Sequence, residues 1–180
     1  MKKNYILLLI IFLYLENKAQ HTLTAAFNPV VGDIDSRINL DTAGLSLGSS
    51  GTSQTWNYTG ISTGTNAPYG YTYVPMSSAP NNSLFPTGTI AANVGVGGIY
   101  FIYSNTSSKV EWLGAAQPTA SNCSTSNPEI LYTIPFMYGS IYSFTYASST
   151  TTATITGDGT GTLQLPSGNY LNVLKRTVLY

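Results

Sequence analysis

A single cysteine and a single histidine remove most of the catalytic chemistry open to a chain of 180 residues. Cys123 has no partner for an intrachain disulfide. His21 is the only imidazole, so Ser–His–Asp and Cys–His arrangements have no base in the body of the chain. The same shortage leaves zinc without a donor set, and no metal or organic cofactor is expected. Charge is scarce too, at 8% of residues, against about 25% in an average globular protein. The formal net charge is zero, which argues against a nucleic-acid partner. Glu, Lys, Ala and Leu are too few for helical bundles or coiled coils.

What fills the chain instead is 24 Thr, 20 Ser, 17 Gly and 14 Asn, alongside 43% apolar residues. That apolar share is enough to build a core, so low hydrophobicity does not point to disorder. Residues 1–19 read as a signal peptide. Lys2 and Lys3 precede an unbroken apolar run from Tyr5 to Leu15. That run is too short for a spanning helix, which needs about 20 residues, and suits a signal-peptide core. Cleavage is expected after Ala19, and no other long apolar run follows. The mature chain is therefore expected to be exported across the inner membrane to a secreted or cell-surface location, with no membrane span. Removing Lys2, Lys3, Lys18 and Glu16 leaves 4 basic and 6 acidic residues, a weakly acidic balance of −2.

Residues 20–180 read as one all-β domain. Gly and Pro interrupt the chain at short intervals, as they do in sandwiches and barrels. From Asp33 to Asp41, Ile34, Ser36, Ile38 and Leu40 alternate with polar residues, the pattern of a half-buried strand. Trp56 and Tyr58 mark a second strand, and Tyr69, Tyr71 and Tyr73 a third. Segments 98–104 and 109–114 flank a polar turn and predict a hairpin. Further strands are expected at 140–147, 150–156, 160–165 and 170–180, with GDGTG at 157–161 and PSG at 166–168 as turns. VGVGG at 94–98 reads as a turn before a strand, not a phosphate loop. Segments 76–93 and 115–128 read as long loops, the second holding Cys123 as a loop thiol. The fold expected is an antiparallel β-sandwich of about eight or nine strands, with a flattened barrel as the alternative. Its core is expected to include Trp56, Ile99, Phe101, Trp112, Phe144 and Leu163.

Several spaced phrases carry a resemblance: NPVVGD at 28–33, SGTSQTWNYTGI at 50–61, GGIYFIYSNTSSKVEWLG at 97–114, IPFMYGSIYSFTY at 134–146 and GDGTGTLQLPSGNYLNVLKR at 157–176. They resemble the N-terminal β-domain of exported Bacteroidota proteins that carry a type IX secretion sorting domain at their C-terminus. The resemblance implies a secreted or surface-displayed β-domain and no particular catalytic activity. The sorting domain itself is absent here, and the last strand runs to Tyr180 without a closing turn, so a chain truncated before a further domain is an expectation. Asp41-Thr42-Ala43 resembles the O-glycosylation acceptor of that group, which makes Thr42 a candidate modification site.

No residue stands out as catalytic, cofactor-binding or metal-binding. The mature carboxylates are Asp33, Asp35, Asp41, Glu111, Glu129 and Asp158. Asp33 and Asp35 share a strand face, as a carboxylate-based glycan hydrolase would require of its acid pair. The ordinary reading is a solvated face, with Asp158 as a turn former. Ca²⁺ held by carboxylates and loop carbonyls is a further alternative, without a D-x-D-x-D-G repeat to support it. Tyr69, Tyr71 and Tyr73 form the best candidate glycan platform, because aromatic rings offer large amphipathic area at low entropic cost. Tyr is also simply a good strand former. The function expected is therefore a non-catalytic binding or structural module. Its partner would be an extracellular glycan or a surface protein. A carbohydrate-binding module and a glycan hydrolase are the alternatives.

The PSG turn predicts that Leu171–Val178 pairs antiparallel with Thr160–Leu165. Deleting residues 171–180 is then expected to strip Leu163 and Leu165 of a neighbour and make the domain aggregate. A soluble variant that unfolds cooperatively in urea would show that the strand is a linker.

Overall fold

The computed structural model describes residues 21–37, 46–62, 69–119, 121–123, 128–145 and 152–179. The signal segment with its cleavage point after Ala19, together with Asp41 and Thr42, lies outside the described residues. The described chain is nearly all β, in two sheets, of the sandwich or flattened-barrel type. Eleven strands are present among the described residues: β1 (Ile34–Arg37), β2 (Gly51–Asn57), β3 (Tyr69–Val74), β4 (Ile90–Asn93), β5 (Tyr100–Asn105), β6 (Lys109–Ala116), β7 (Ser121–Cys123), β8 (Glu129–Thr133), β9 (Ile141–Thr145), β10 (Thr152–Leu165) and β11 (Gly168–Leu179).

The first sheet is antiparallel in the order β1-β3-β4-β5-β6-β7, with β8 also pairing β6. The 98–114 hairpin forms as its polar turn predicts, with Asn105 opposite Val110. β4 falls inside the segment read as a loop. Its Ala91 and Ala92 are fully buried, and alanine signals a strand weakly because its small side chain gives little pleated-face packing. Only its central position in the sheet decides its state. β7 likewise puts Cys123 opposite Gly114 in a short strand, not in a loop.

One face of this sheet carries Ala91, Ile102, Leu113 and Ala116, roofed by Ala79 and Phe85 from the connection 75–89 with its two short 3₁₀ turns. The other face carries Tyr71, Ile90, Ala92 and Tyr103, flanked by Tyr73, Phe101, Trp112 and Leu131. β1 departs from the sequence pattern. Ile34 is 71% exposed, while Asp35 sits opposite Tyr71 on the aromatic face. Alternation marks two faces of a strand without saying which one packs, and on this edge strand the polar side faces the aromatic rings.

The second sheet is built on β10. One of its edges pairs antiparallel with β11 over nearly the whole length of both strands. Its other edge is shared end to end. β9 takes Thr152–Thr156 in antiparallel register, and β2 takes Gly159–Gln164 in parallel. The two strands pair antiparallel through the PSG turn as expected, but the register differs. Val173–Val178 lies opposite Ile155–Gly161, while Leu163 and Leu165 stand opposite Tyr170 and Gly168, which a deletion of 171–180 would leave in place. GDGTG, however, is no turn. β10 runs straight through it, with register shifts at Gly157/Gly159 and Gly161/Leu163.

The glycines there serve close approach. A Cβ on Gly157 would lie 2.3 Å from the Met137 carbonyl oxygen, and one on Gly161 would lie 1.9 Å from the Gln54 carbonyl oxygen. Gly159 faces the Trp56 ring, where a Cβ would come within 2.7 Å of Cζ2. Gly in a strand often marks just such a bulge or close backbone approach.

The two sheets meet along β8 and β9. Phe136, Phe144, Ala153 and Ile155 form the core there, with Leu23, Ile130, Tyr142, Leu174 and Val178 against it. The Tyr142 hydroxyl and the Arg176 guanidinium both donate to the Leu131 carbonyl of β8. The N-terminal segment ties the same seam, because Leu23 forms an isolated bridge with Phe136. Asn28 Nδ2 donates to the Thr106 carbonyl at 3.1 Å. Of the six core residues expected, Trp56 and Phe144 are buried. Ile99, Phe101, Trp112 and Leu163 are half-buried, and none is exposed. Phe85, Phe136 and Ile102, which are among the most deeply buried side chains, carry no distinguishing signal in the sequence.

Gly161→Ala is expected to destabilise the domain by about 3 kcal/mol or more, because backbone, and not a movable side chain, occupies the Cβ position. A Cβ on Gly60 would meet nothing within 4 Å, so Gly60→Ala should stay within about 0.5 kcal/mol of wild type. Urea unfolding of the two variants checks the contrast.

Candidate functional site

Aromatic rings and charges come together at two places, one on each sheet. On the first sheet the tyrosines of β3 share a face, as their spacing predicts. Its centre is not open. Tyr71 is 8% exposed and meets Phe101 edge-on at 5.4 Å between centroids. Tyr73 tilts against Tyr103 at 6.1 Å, and Phe101 meets Trp112 at 6.3 Å. Arg37 lies 4.7 Å above the Tyr71 ring centroid, held there by Asp35, which accepts from its Nε at 2.9 Å and from its Nη2 at 2.5 Å. Of the candidate glycan platform Tyr69, Tyr71 and Tyr73, Tyr71 is buried and Tyr73 half-buried. Tyr71 packs into an aromatic cluster supplied by β5 and β6, and edge-to-face contacts favour that burial over a row in water. Tyr69 stands opposite Arg37 in the β1–β3 ladder, and its side chain lies outside the described ones.

The electrostatics follow from the packing. Burial raises the Tyr103 hydroxyl above its ordinary value, and the neighbouring Tyr73 adds to this. Tyr73 is raised by burial first and by Asp35 second. The hydrogen bond to Asp35 raises Arg37, outweighing the opposing effect of burial. These tyrosines remain protonated hydroxyls at neutral pH.

Each of the carboxylates that the sequence pattern pairs has a local partner. Asp33 Oδ2 accepts from the Val30 N–H at 2.9 Å, a local turn bond. Asp35 is committed to Arg37. Glu111 is buried on β6 and pairs with Lys109 at 2.5 Å. Asp158, expected in a turn, stands in mid-strand on β10 and pairs with Lys175 of β11 at 3.1 Å. Among the described residues no group of three or more His, Cys, Asp or Glu side chains is placed to hold a metal ion.

The second place is an apolar groove of about 380 Å³ on the second sheet, lined by Leu47, Trp56, Tyr58, Leu163, Val173 and Thr177, with Lys175 and Arg176 also contributing. Trp56 is its floor, at 5% exposure, and Leu47 its rim, at 82%. Beside it lies the Asp158–Lys175 pair, whose side chains are 18% and 17% exposed. Ser50 Oγ donates to Asp158 Oδ2 at 2.7 Å, and Lys175 Nζ donates to the Gly48 carbonyl at 3.2 Å. Burial pushes the Asp158 carboxyl up, but the hydrogen bonds from Ser50 and Lys175 and the lysine charge outweigh it. The carboxyl is held below the usual carboxylate range.

The sequence marks Trp56 only as a core residue and Asp158 only as a turn former. The signal that points to the site is the spacing of glycines at 157, 159 and 161, which keeps strand period and marks one crowded face. Compared with known family models, curated proteins and solved structures, the chain matches none. No described helix is long and apolar enough to cross a membrane.

Because the folded carboxyl of Asp158 titrates below its unfolded value, its pair stabilises the domain fully above about pH 4 and is lost as pH falls through the folded value. Asp158→Asn is expected to cost about 1–3 kcal/mol at pH 7, since Lys175 keeps its charge without its carboxylate. It should also show a shallower loss of stability between about pH 4 and pH 2, measured by urea unfolding across that range.

Proposed function

We propose that the chain is an exported, non-catalytic β-module of the cell surface or extracellular space, acting through binding or structure. The observation that carries this reading is the commitment of four of its carboxylates. Asp33, Asp35, Glu111 and Asp158 each serve a local turn or ion pair. A hydrolytic pair instead needs one carboxyl free to donate a proton and another facing it across a substrate. A low content of charge and a body solubilised by hydroxyls and amides support an exported chain, as does the signal-like segment 1–19. The resemblance to exported Bacteroidota β-domains supports the same location and the type IX route.

The carbohydrate-binding alternative keeps one specific support, moved from the β3 tyrosines to the groove on the second sheet. Trp56 and Tyr58 line an apolar floor beside a charged pair, the combination that takes the flat apolar face of a sugar ring and its hydroxyls.

Secretion of the full-length chain, N-terminal sequencing, and a glycan array with parallel hydrolysis assays test the reading together. Expected are Gln20 as the first mature residue, no turnover, and any glycan signal lost in Leu47→Asp while the unfolding midpoint stays put, since Leu47 is exposed. Hydrolysis that disappears in Asp33→Asn or Asp35→Asn would overturn the non-catalytic assignment.

A further inference from the structure

Residues 46–50 lie against Trp56 without joining a sheet. Among the described residues, no backbone ladder ties this segment to β2, β10 or β11. It is held by side chains. Trp56 Nε1 donates to the Ser49 carbonyl at 2.9 Å, and the Tyr58 hydroxyl to the Ser46 carbonyl at 2.9 Å. Lys175 Nζ reaches the Gly48 carbonyl, and Ser50 Oγ reaches Asp158. Ser49 Oγ adds a bond to Gln54 Oε1 at 2.5 Å. Gly48 allows the closeness. Its φ is +73°, and a Cβ there would stand 2.4 Å from Trp56 Cδ1.

We propose that residues 46–50 form a strap that opens as a unit from the second sheet, uncovering the Trp56 ring, with the Asp158–Lys175 pair and Ser50 as its latch. Segments held by few buried contacts and no ladder open at a fraction of the global unfolding free energy. The strap fits that description: Ser46, Leu47, Ser49 and Ser50 are exposed and only Gly48 is half-buried. The sheet beneath does not. β10 is paired on both edges, and the Trp56 ring packs against Gly159 of that strand. Opening therefore changes the groove from a shallow one rimmed by Leu47 to a wider aromatic floor. The inference deepens the binding-module reading and rests on it for its purpose, but the strap opens or stays shut independently of any ligand.

The Trp56 indole N–H reports the opening directly, because its acceptor is on the strap. In the unmodified mature protein, NMR-detected hydrogen exchange of that proton is expected to run about 100-fold or more faster than the slowest amides of β10, and to be insensitive to low urea. Gly48→Ala, which must lift the strap, and Ser50→Ala/Tyr58→Phe, which removes two ties, should each speed it about tenfold further, with the unfolding midpoint moving by only a few degrees. Exchange of the indole proton at the same rate and urea dependence as the β10 amides would overturn the proposal. So would variants that speed it only by lowering the midpoint.

Discussion

Three glycines in alternate positions on β10 set how closely its neighbours can come. Gly157 admits the Met137 carbonyl, Gly159 the Trp56 ring and Gly161 the Gln54 carbonyl. A methyl group at either outer position would occupy space held by backbone. Everything on the second sheet depends on this approach. The parallel pairing of β2, the seating of Trp56 and the reach of Lys175 to the Gly48 carbonyl all follow from it. The loss of backbone entropy that glycine brings to a strand interior is offset by the packing it permits.

The fold is legible in the sequence where alternation and turn chemistry agree. The 98–114 hairpin and the β10–β11 pairing through Pro166-Ser167-Gly168 follow from local residues alone. It is illegible where tertiary position decides. β4 is a strand because it lies between β3 and β5, and its two buried alanines announce nothing. GDGTG looks like a turn in isolation, since Gly and Asp favour turns. Here its period of two is the informative feature, and the partner that makes sense of it, β2, lies far away in the chain. The candidate site is hidden for the same reason. Ser50, Trp56, Asp158 and Lys175 are spread along the chain and meet only after the second sheet has assembled.

The two aromatic centres divide the labour of the domain. On the first sheet, Tyr71, Phe101, Tyr103 and Trp112 close on one another, and Arg37 caps the cluster with its partner Asp35. That centre is spent on cohesion, which matters in a chain whose single cysteine cannot form an internal disulfide. On the second sheet Trp56 is buried by a side-chain-held segment instead of by other rings. The charges of β11 are engaged as well, Lys175 half-buried and Arg176 exposed. Lys175 goes to Asp158 and Arg176 to the Leu131 carbonyl. The outer edge of β11 is thus left to the bulge at Asn172, whose φ is +58°, to interrupt edge pairing.

The parallel contact between β2 and β10 has a kinetic meaning. Its two strands are separated in the chain by all of the first sheet except β1, so their pairing closes a long loop and makes a large contribution to contact order. Contact order favours early formation of the antiparallel pairings between chain neighbours, with the β2–β10 pairing later. As the chain is synthesised from its N-terminus, β2 stays without its β10 partner until β10 has emerged, and only then can the Trp56 side chain find its seat on Gly159.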